Sequence, residues 1–126
     1  MAGGNPYVKA AEFRAALRRF LRRSEQAARA AGITPGQHLL LLQIAGCEND
    51  ATISGLVERL ALTQSAVTEL VQRAELAGLV ERTPSADDGR VTHLSLTAEG
   101  EAKLAEVHDT LGPERSQLRR MVDALD

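Results

Sequence analysis

The sequence predicts a mainly α-helical domain that carries one small β-hairpin. Apolar residues recur at steps of three and four over most of the chain, which indicates helices with one buried face. Two short segments, residues 79–83 and 91–96, flank a polar loop, and the second alternates its two faces as a strand does. With 126 residues, 44% of them hydrophobic, the chain has the length and composition of one domain with a modest core.

The first two helices have clear start and stop signals. Apolar residues at helical spacing extend over residues 7–31, and Gly32 ends this first helix. Thr34 has the position of an N-cap, with a proline at the first helical position and Gln37 where it closes a capping box. Because residues 39–45 are apolar nearly all round, we expect the second helix to be central and buried.

Two shorter helices follow. The third is predicted to begin at Thr52 or Ser54. Its inward face consists of Leu56, Val57 and Leu60. After a three-residue turn, Thr63 caps a fourth helix over residues 64–77, and Gly78 lies where a left-handed C-terminal residue is needed. The inward stripe of the fourth helix consists of Val67, Leu70, Val71 and Ala74.

The C-terminal part is predicted to contain the hairpin and two more helices. Residues 84–90 join the two strands through a loop rich in turn-forming residues. Thr97 caps a fifth helix that is broken at Gly112-Pro113, and a last amphipathic segment covers residues 114–125. The third and fourth helices, the turn between them and the hairpin after them form a winged helix-turn-helix.

The fourth helix presents small polar side chains opposite its apolar stripe. Its outward positions are Gln64, Ser65, Thr68, Glu69 and Gln72. Glutamine can pair with adenine edges, and serine or threonine can bond phosphates or bases, so this face suits the major groove of DNA. Thr63 and the helix N-terminus add donors for phosphate, and Arg90 at the hairpin tip can enter a neighbouring minor groove. The alternative for the polar face of the fourth helix is a solvated surface, and the alternative for Arg90 is an ordinary arginine in a turn.

Two stretches resemble the motifs of the MarR family of transcription regulators. Residues 62–73 (Leu-Thr-Gln-Ser-Ala-Val-Thr-Glu-Leu-Val-Gln-Arg) and 78–82 (Gly-Leu-Val-Glu-Arg) are similar to the family's recognition helix and the start of its wing. Residues 88–90 (Asp-Gly-Arg) and 94–100 (Leu-Ser-Leu-Thr-Ala-Glu-Gly) resemble its wing signature. The resemblance implies a winged helix-turn-helix flanked by N- and C-terminal dimerisation helices.

The resemblance also implies how the chain is organised and what it binds. Residues 1–33 would form a dimerisation helix, residues 34–97 the DNA-binding region, and residues 98–126 the C-terminal dimerisation helices, all within one compact domain. The homodimer would bind a pseudo-palindromic duplex operator of roughly 16–20 base pairs. Because many relatives respond to small aromatic or phenolic effectors, we expect a ligand-responsive repressor.

The resemblance carries site residues over position by position. Arg90 would enter the minor groove, oriented by Asp88, while Arg73 and Arg82 would support the backbone contact or the wing. The residues expected to face the major groove are Ser65, Thr68 and Gln72. The full predicted DNA-binding set is Thr63, Gln64, Ser65, Thr68, Glu69, Gln72, Arg73, Arg82, Asp88 and Arg90. The effector pocket is placed, by the same analogy, on the first two helices around Phe13, Leu17, His38 and Leu42, and on the fifth helix.

The charge distribution predicts that DNA affinity depends on few contacts. The formal net charge is −2, and residues 53–100 hold four basic residues against seven acidic ones, whereas residues 9–29 hold seven basic residues against two. We interpret this basic first helix as a solvated or dimer-rim face. Glu69 departs from the family pattern, because a carboxylate repels phosphates unless it accepts from a cytosine amine. The alternative function is a winged-helix protein-interaction module with weak or no DNA binding.

Other residue types point away from an enzyme and from a cofactor. The sequence has no phosphate loop, nucleophile elbow or paired-carboxylate arrangement. Its single cysteine, Cys47, excludes an internal disulfide and favours packing, with redox sensing as the alternative. The three histidines lie far apart in the sequence, so no metal site is expected. No apolar run reaches the ~20 residues of a membrane span, and no signal peptide is evident, so the sequence predicts a cytoplasmic protein.

Overall fold

The computed structural model describes residues 4–84 and 91–125 and contains six helices and one hairpin there. The elements, in chain order, are α1 (Val8–Ala30), α2 (Pro35–Gly46), α3 (Ile53–Leu60), α4 (Gln64–Leu76), β1 (Val80–Pro84), β2 (Thr92–Leu96), α5 (Ala98–Thr110) and α6 (Gly112–Asp123). This order confirms the predicted fold class. None of the described helices combines the length and the hydropathy that a membrane span requires.

Threonine side chains begin four of the helices. The predicted capping box at α2 is present, because Thr34 Oγ1 accepts from the Gln37 amide at 3.0 Å and Gln37 Oε1 accepts from the Thr34 amide at 2.9 Å. At α3 the cap is Thr52 rather than Ser54, and Thr63 caps α4 as predicted. Each such cap stabilises its helix by about 1 kcal/mol, so the helix starts are fixed locally by the sequence.

The last two helices are nearly continuous. α5 ends at Thr110, and α6 begins at Gly112, two residues before the predicted start of the last segment. Pro113 lies in the first turn of α6, where the missing N–H has no helical acceptor in any case, so the proline starts the helix instead of only ending the previous one. Arg115 also donates to the carbonyl of His108 at 3.2 Å and ties the two helices together.

Helix α2 runs through the centre of the core but is not buried all round. It contacts α1, α3, α4, α5 and β2, and its side chains Leu40, Leu41 and Ile44 are buried. Leu39 and Leu42 remain 49% and 41% exposed, so the expectation of burial on every side is wrong for them. They lie three residues apart on one helix face, and this face is partly open to solvent among the described residues.

The hairpin is attached to the helices at its base. β1 and β2 pair antiparallel, with Val80 opposite Leu96 and Arg82 opposite Leu94. The Leu94 amide also donates to the Ala51 carbonyl at 2.9 Å, which joins β2 to the segment between α2 and α3. The Leu94 side chain is buried in the core. The base of the wing is therefore part of the packed domain.

We predict that stability falls in mild acid because of His38. This side chain is buried in α2, and desolvation lowers its pKa from the ordinary value near 6.5. Below pH 6.5 the unfolded chain takes up a proton that the folded chain resists, so the free energy of unfolding decreases as the pH falls, by at most about 1.4 kcal/mol per pH unit. Urea unfolding between pH 7.5 and 5.5 measures this dependence. The unfolding free energy of His38→Gln should change less with pH than that of the unmodified chain, and an equal change with pH would contradict the prediction.

Candidate nucleic-acid interface

One face of α4 is polar and open to solvent. Gln64, Ser65, Glu69 and Gln72 are exposed, Thr68 is half-buried, and the opposite side of the helix is buried in the core. The buried side consists of Val67, Val71 and Ala74. The five polar residues thus share one face along two turns of the helix, as the sequence predicted. A helix with this division can lie in the major groove without exposing its core contacts.

The N-terminus of α4 is an exposed donor site. Thr63 is exposed and extended, and its Oγ1 accepts from the Ala66 amide at 3.1 Å. The amides of the first helical turn before Ala66 have no acceptor within the helix, and the helix dipole adds partial positive charge there. Backbone phosphate is an anion that such an end can bind.

Glu69 is paired inside α4. Arg73 Nη2 donates to Glu69 Oε1, four residues earlier, and both side chains are mostly exposed. A glutamate placed N-terminal to its cation at this spacing is the favourable orientation in a helix, although an exposed pair contributes only about 0.3–0.5 kcal/mol. The pair offsets the negative charge that made Glu69 unfavourable beside phosphates.

Arg82 ties the wing to the end of α4. Its Nε donates to Glu75 Oε1 at 2.8 Å, and both side chains are about one-third exposed. This contact agrees with the predicted role of Arg82 in supporting the wing. Sequence reasoning missed Glu75, because the two residues belong to different elements and their charges alone do not predict the pair.

Thr97 joins the end of α4, the wing and α5. Its hydroxyl donates to the Gly78 carbonyl and accepts from the Gly100 amide at 3.0 Å, while its own amide donates to the Leu79 carbonyl at 3.1 Å. Gly78 has a φ of +76°, which glycine adopts without steric cost. We call these contacts of Thr97 the Thr97 latch. The sequence predicted its capping role but not its bond to Gly78.

Gly100 lets α5 approach the wing closely. A Cβ atom at this position would lie 2.1 Å from the Leu79 carbonyl oxygen, far inside van der Waals contact. The glycine at the end of the Leu-Ser-Leu-Thr-Ala-Glu-Gly motif is therefore required by the backbone of the neighbouring strand. Asp88 and Arg90, predicted for the wing tip, lie outside the described residues.

Comparison with known proteins finds a family that this chain resembles. The sequence profile of the MarR family matches residues 31–91, from the end of α1 into the wing. The HTH-type transcriptional repressor MdtR of Bacillus subtilis is 38% identical over 76 residues. Over about half of its length, the chain is therefore similar to the MarR family. The alignment with MdtR covers 60% of this chain and 48% of MdtR, so the chain spans about half the length of that curated relative.

Solved structures share this MarR fold over most of the chain. The YusO protein of Bacillus subtilis is 27% identical with a TM-score of 0.65, over 93% of this chain and 80% of that one. The M. tuberculosis regulator MOSR, solved in complex with DNA, is 25% identical with a TM-score of 0.64, over 86% and 78%. Wild-type MarR from E. coli is 24% identical, covers 93% and 84%, and shares the fold with a TM-score of 0.73.

The structure places the four residues predicted for an effector pocket in different parts of the described chain. Phe13 lies in a small pocket between α1 and α6, and Leu17 lies along α1 beside exposed Leu21. His38 is buried, and Leu42 borders a groove between α2, β2 and α5.

The remaining candidate groups lie outside this interface. Cys47 is half-buried at the end of α2 and packs against the core, as the packing interpretation predicts. Within residues 4–84 and 91–125, no group of three or more histidine, cysteine or acidic side chains is arranged to hold a metal ion. On the basic first helix, Arg23 donates to Glu114 at 3.1 Å and joins α1 to α6. Arg23, one of the basic residues of α1, therefore helps to hold α1 and α6 together.

Replacing Gly100 with alanine should destabilise the domain. The added methyl group would meet the Leu79 carbonyl, and such overpacking costs about 1–3 kcal/mol. The matched control is Gly112→Ala, because the nearest atom to its added Cβ is the flexible end of Arg115 at 4.0 Å. Urea unfolding should show a clear loss of unfolding free energy for Gly100→Ala alone, and equal stability of the two variants would contradict the close approach.

Proposed function

We propose that this chain is a homodimeric, sequence-specific DNA-binding transcription regulator, and that it acts as a ligand-responsive repressor. The observation that supports this most is the exposed polar face of α4, held against a wing by the Thr97 latch and by the Arg82–Glu75 pair. A recognition helix and a wing fixed to each other can contact adjacent grooves of one duplex. Two similar proteins support this function, because MdtR is a transcriptional repressor and MOSR is a regulator solved in complex with DNA.

The contacts we propose in the major groove are few and polar. Gln64, Ser65, Thr68 and Gln72 would contact base edges or phosphates, with Thr63 and the N-terminus of α4 bound to the backbone. Arg73 would reach the backbone while paired with Glu69, and Arg90, oriented by Asp88, would enter the minor groove. Because few cations take part, affinity should decrease only moderately as the salt concentration rises.

The dimer would double these contacts. We assign dimerisation to residues 1–33 and 98–126, since α1 and α6 pack together and expose Leu21 and Val122. A two-fold dimer would present two α4 helices to half-sites about 34 Å apart. An effector would act by favouring a dimer with a different spacing of these helices, and operator affinity would then fall.

We also propose that the chain acts in the cytoplasm, where it meets DNA, without a cofactor and without catalytic activity. The second candidate function is a protein-interaction module that binds DNA weakly or not at all. The acidic balance of residues 53–100 favours this alternative, although Glu69 is paired with Arg73. DNA binding with sequence preference separates the two.

Gln72→Ala and Arg90→Ala should each weaken binding to the DNA upstream of the chain's own gene. Loss of a good base contact costs about 1–3 kcal/mol, which corresponds to roughly a fivefold to 150-fold loss of affinity. Fluorescence anisotropy across a salt series measures this, with scrambled DNA as the reference duplex. Ser54→Ala, an exposed change on α3 outside the proposed DNA contacts and dimerisation segments, is the control variant and should bind as the unmodified chain does. If DNA affinity is the same for both duplexes and is unchanged by Arg90→Ala, the proposed regulator function is contradicted and the interaction module is favoured.

A further inference from the structure

A groove between α2, β2 and α5 has no role in the contacts described so far. Its volume is about 550 Å³, which is in the range of small-molecule sites. One face of α5 runs along it, since the lining residues Glu101, Leu104, Ala105, His108 and Asp109 repeat at helical spacing. Its opposite wall is the last turn of α2 together with Leu42, which is 41% exposed.

The groove combines an apolar floor with an acidic rim. The floor is formed mainly by Leu42, Leu94, Leu96, Leu104 and two alanines. The rim carries the carboxylates Glu48, Glu101 and Asp109, and neither lysine nor arginine is among the lining residues. Within the described part of the chain, none of these three carboxylates makes an ion pair. Negative charge at the rim is therefore not neutralised by the protein.

The backbone adds to this negative charge. The groove is bordered by Ile44 and Ala45 in the last turn of α2. The C-terminal end of a helix carries partial negative charge on its carbonyl groups, which favours cations. Arg115, beside the end of α5, is bonded to His108 rather than to the rim carboxylates.

We infer that this groove binds an amphipathic organic cation, with its apolar body on the leucine floor and its positive charge at the rim. The occupant expected from the family resemblance, an aromatic acid or phenolate, carries the wrong charge for this surface. A cation of this class would lose little by leaving water, because the carboxylates and the apolar floor each replace part of its solvation.

The groove is connected to the wing. Leu94 and Leu96 of its floor belong to β2, Leu94 is bonded to Ala51, and Leu96 directly precedes the Thr97 latch. A ligand seated on this floor contacts the strand that carries the wing, so it can favour one wing position over another. This regulatory consequence rests on the proposed function, whereas binding of the cation does not.

Tetraphenylphosphonium and tetraphenylborate test the inference, because they have nearly the same shape and opposite charge. Isothermal titration calorimetry on the full chain should show binding of the cation, and the borate, titrated in a separate experiment, should not bind. In the double variant Glu101→Gln/Asp109→Asn, affinity for the cation should fall at least about tenfold. Glu106→Gln is the matched control, since Glu106 lies on α5 outside the groove lining, and it should bind within about twofold of the unmodified chain.

Absence of cation binding, binding of the borate with comparable affinity, or an affinity for the cation that the double variant keeps would overturn the inference. The replaced carboxylates make no ion pair within the described residues, so the double variant should unfold at the same temperature as the unmodified chain. Thermal unfolding therefore checks that the variant is folded. The same cation, added to the complex with operator DNA, should weaken DNA binding for the unmodified chain and not for the double variant. The calorimetry measures cation binding without DNA and is independent of that assay. If the chain does not bind DNA, the proposed regulation is overturned, whereas the calorimetry still tests the cation site.

Discussion

The geometry of the interface depends on the hydroxyl group of Thr97. It donates to Gly78 at the end of α4 and accepts from Gly100 in the first turn of α5, while the Thr97 amide binds Leu79 at the base of the wing. One side chain thereby connects the three elements that set the angle between the recognition helix and the wing. The missing Cβ of Gly100 makes this possible, because the Leu79 carbonyl occupies the space a side chain would need.

The charges of the interface are arranged for selectivity more than for strong attraction to DNA. Arg73 is bonded to Glu69 and Arg82 to Glu75, so two of the arginines in this region are engaged with carboxylates. Weak general attraction leaves discrimination to the polar face of α4, since hydrogen bonds to base edges depend on the sequence and phosphate contacts do not. The carboxylates of the α2–β2–α5 groove make no ion pair within the described residues. The groove therefore differs from the α4 interface, where Glu69 and Glu75 are paired with arginines.

Local features of the fold could be predicted from the sequence, and non-local ones could not. The caps at Thr34 and Thr63 and the polar face of α4 follow from residue types at fixed spacing, which a single sequence displays. The exposure of Leu42 depends on which elements cover α2, and the Arg82–Glu75 pair depends on how β1 meets α4. The analogy placed Leu42 and the fifth helix at an effector pocket, and both line the groove, whereas Phe13, Leu17 and His38 do not. The part of β2 and the acidic rim were missed because they are assembled from separate segments of the chain.

The central claim is that the Thr97 latch fixes α4 and the wing relative to each other for DNA binding. The operator affinity of Thr97 variants tests this claim most directly. Thr97→Ser keeps the hydroxyl, whereas Thr97→Val keeps the shape and removes it. Fluorescence anisotropy should show affinity within about threefold of the unmodified chain for serine and a loss of about tenfold or more for valine, because both hydrogen bonds of the hydroxyl are lost. A valine variant that binds the operator as tightly as the unmodified chain would contradict the account.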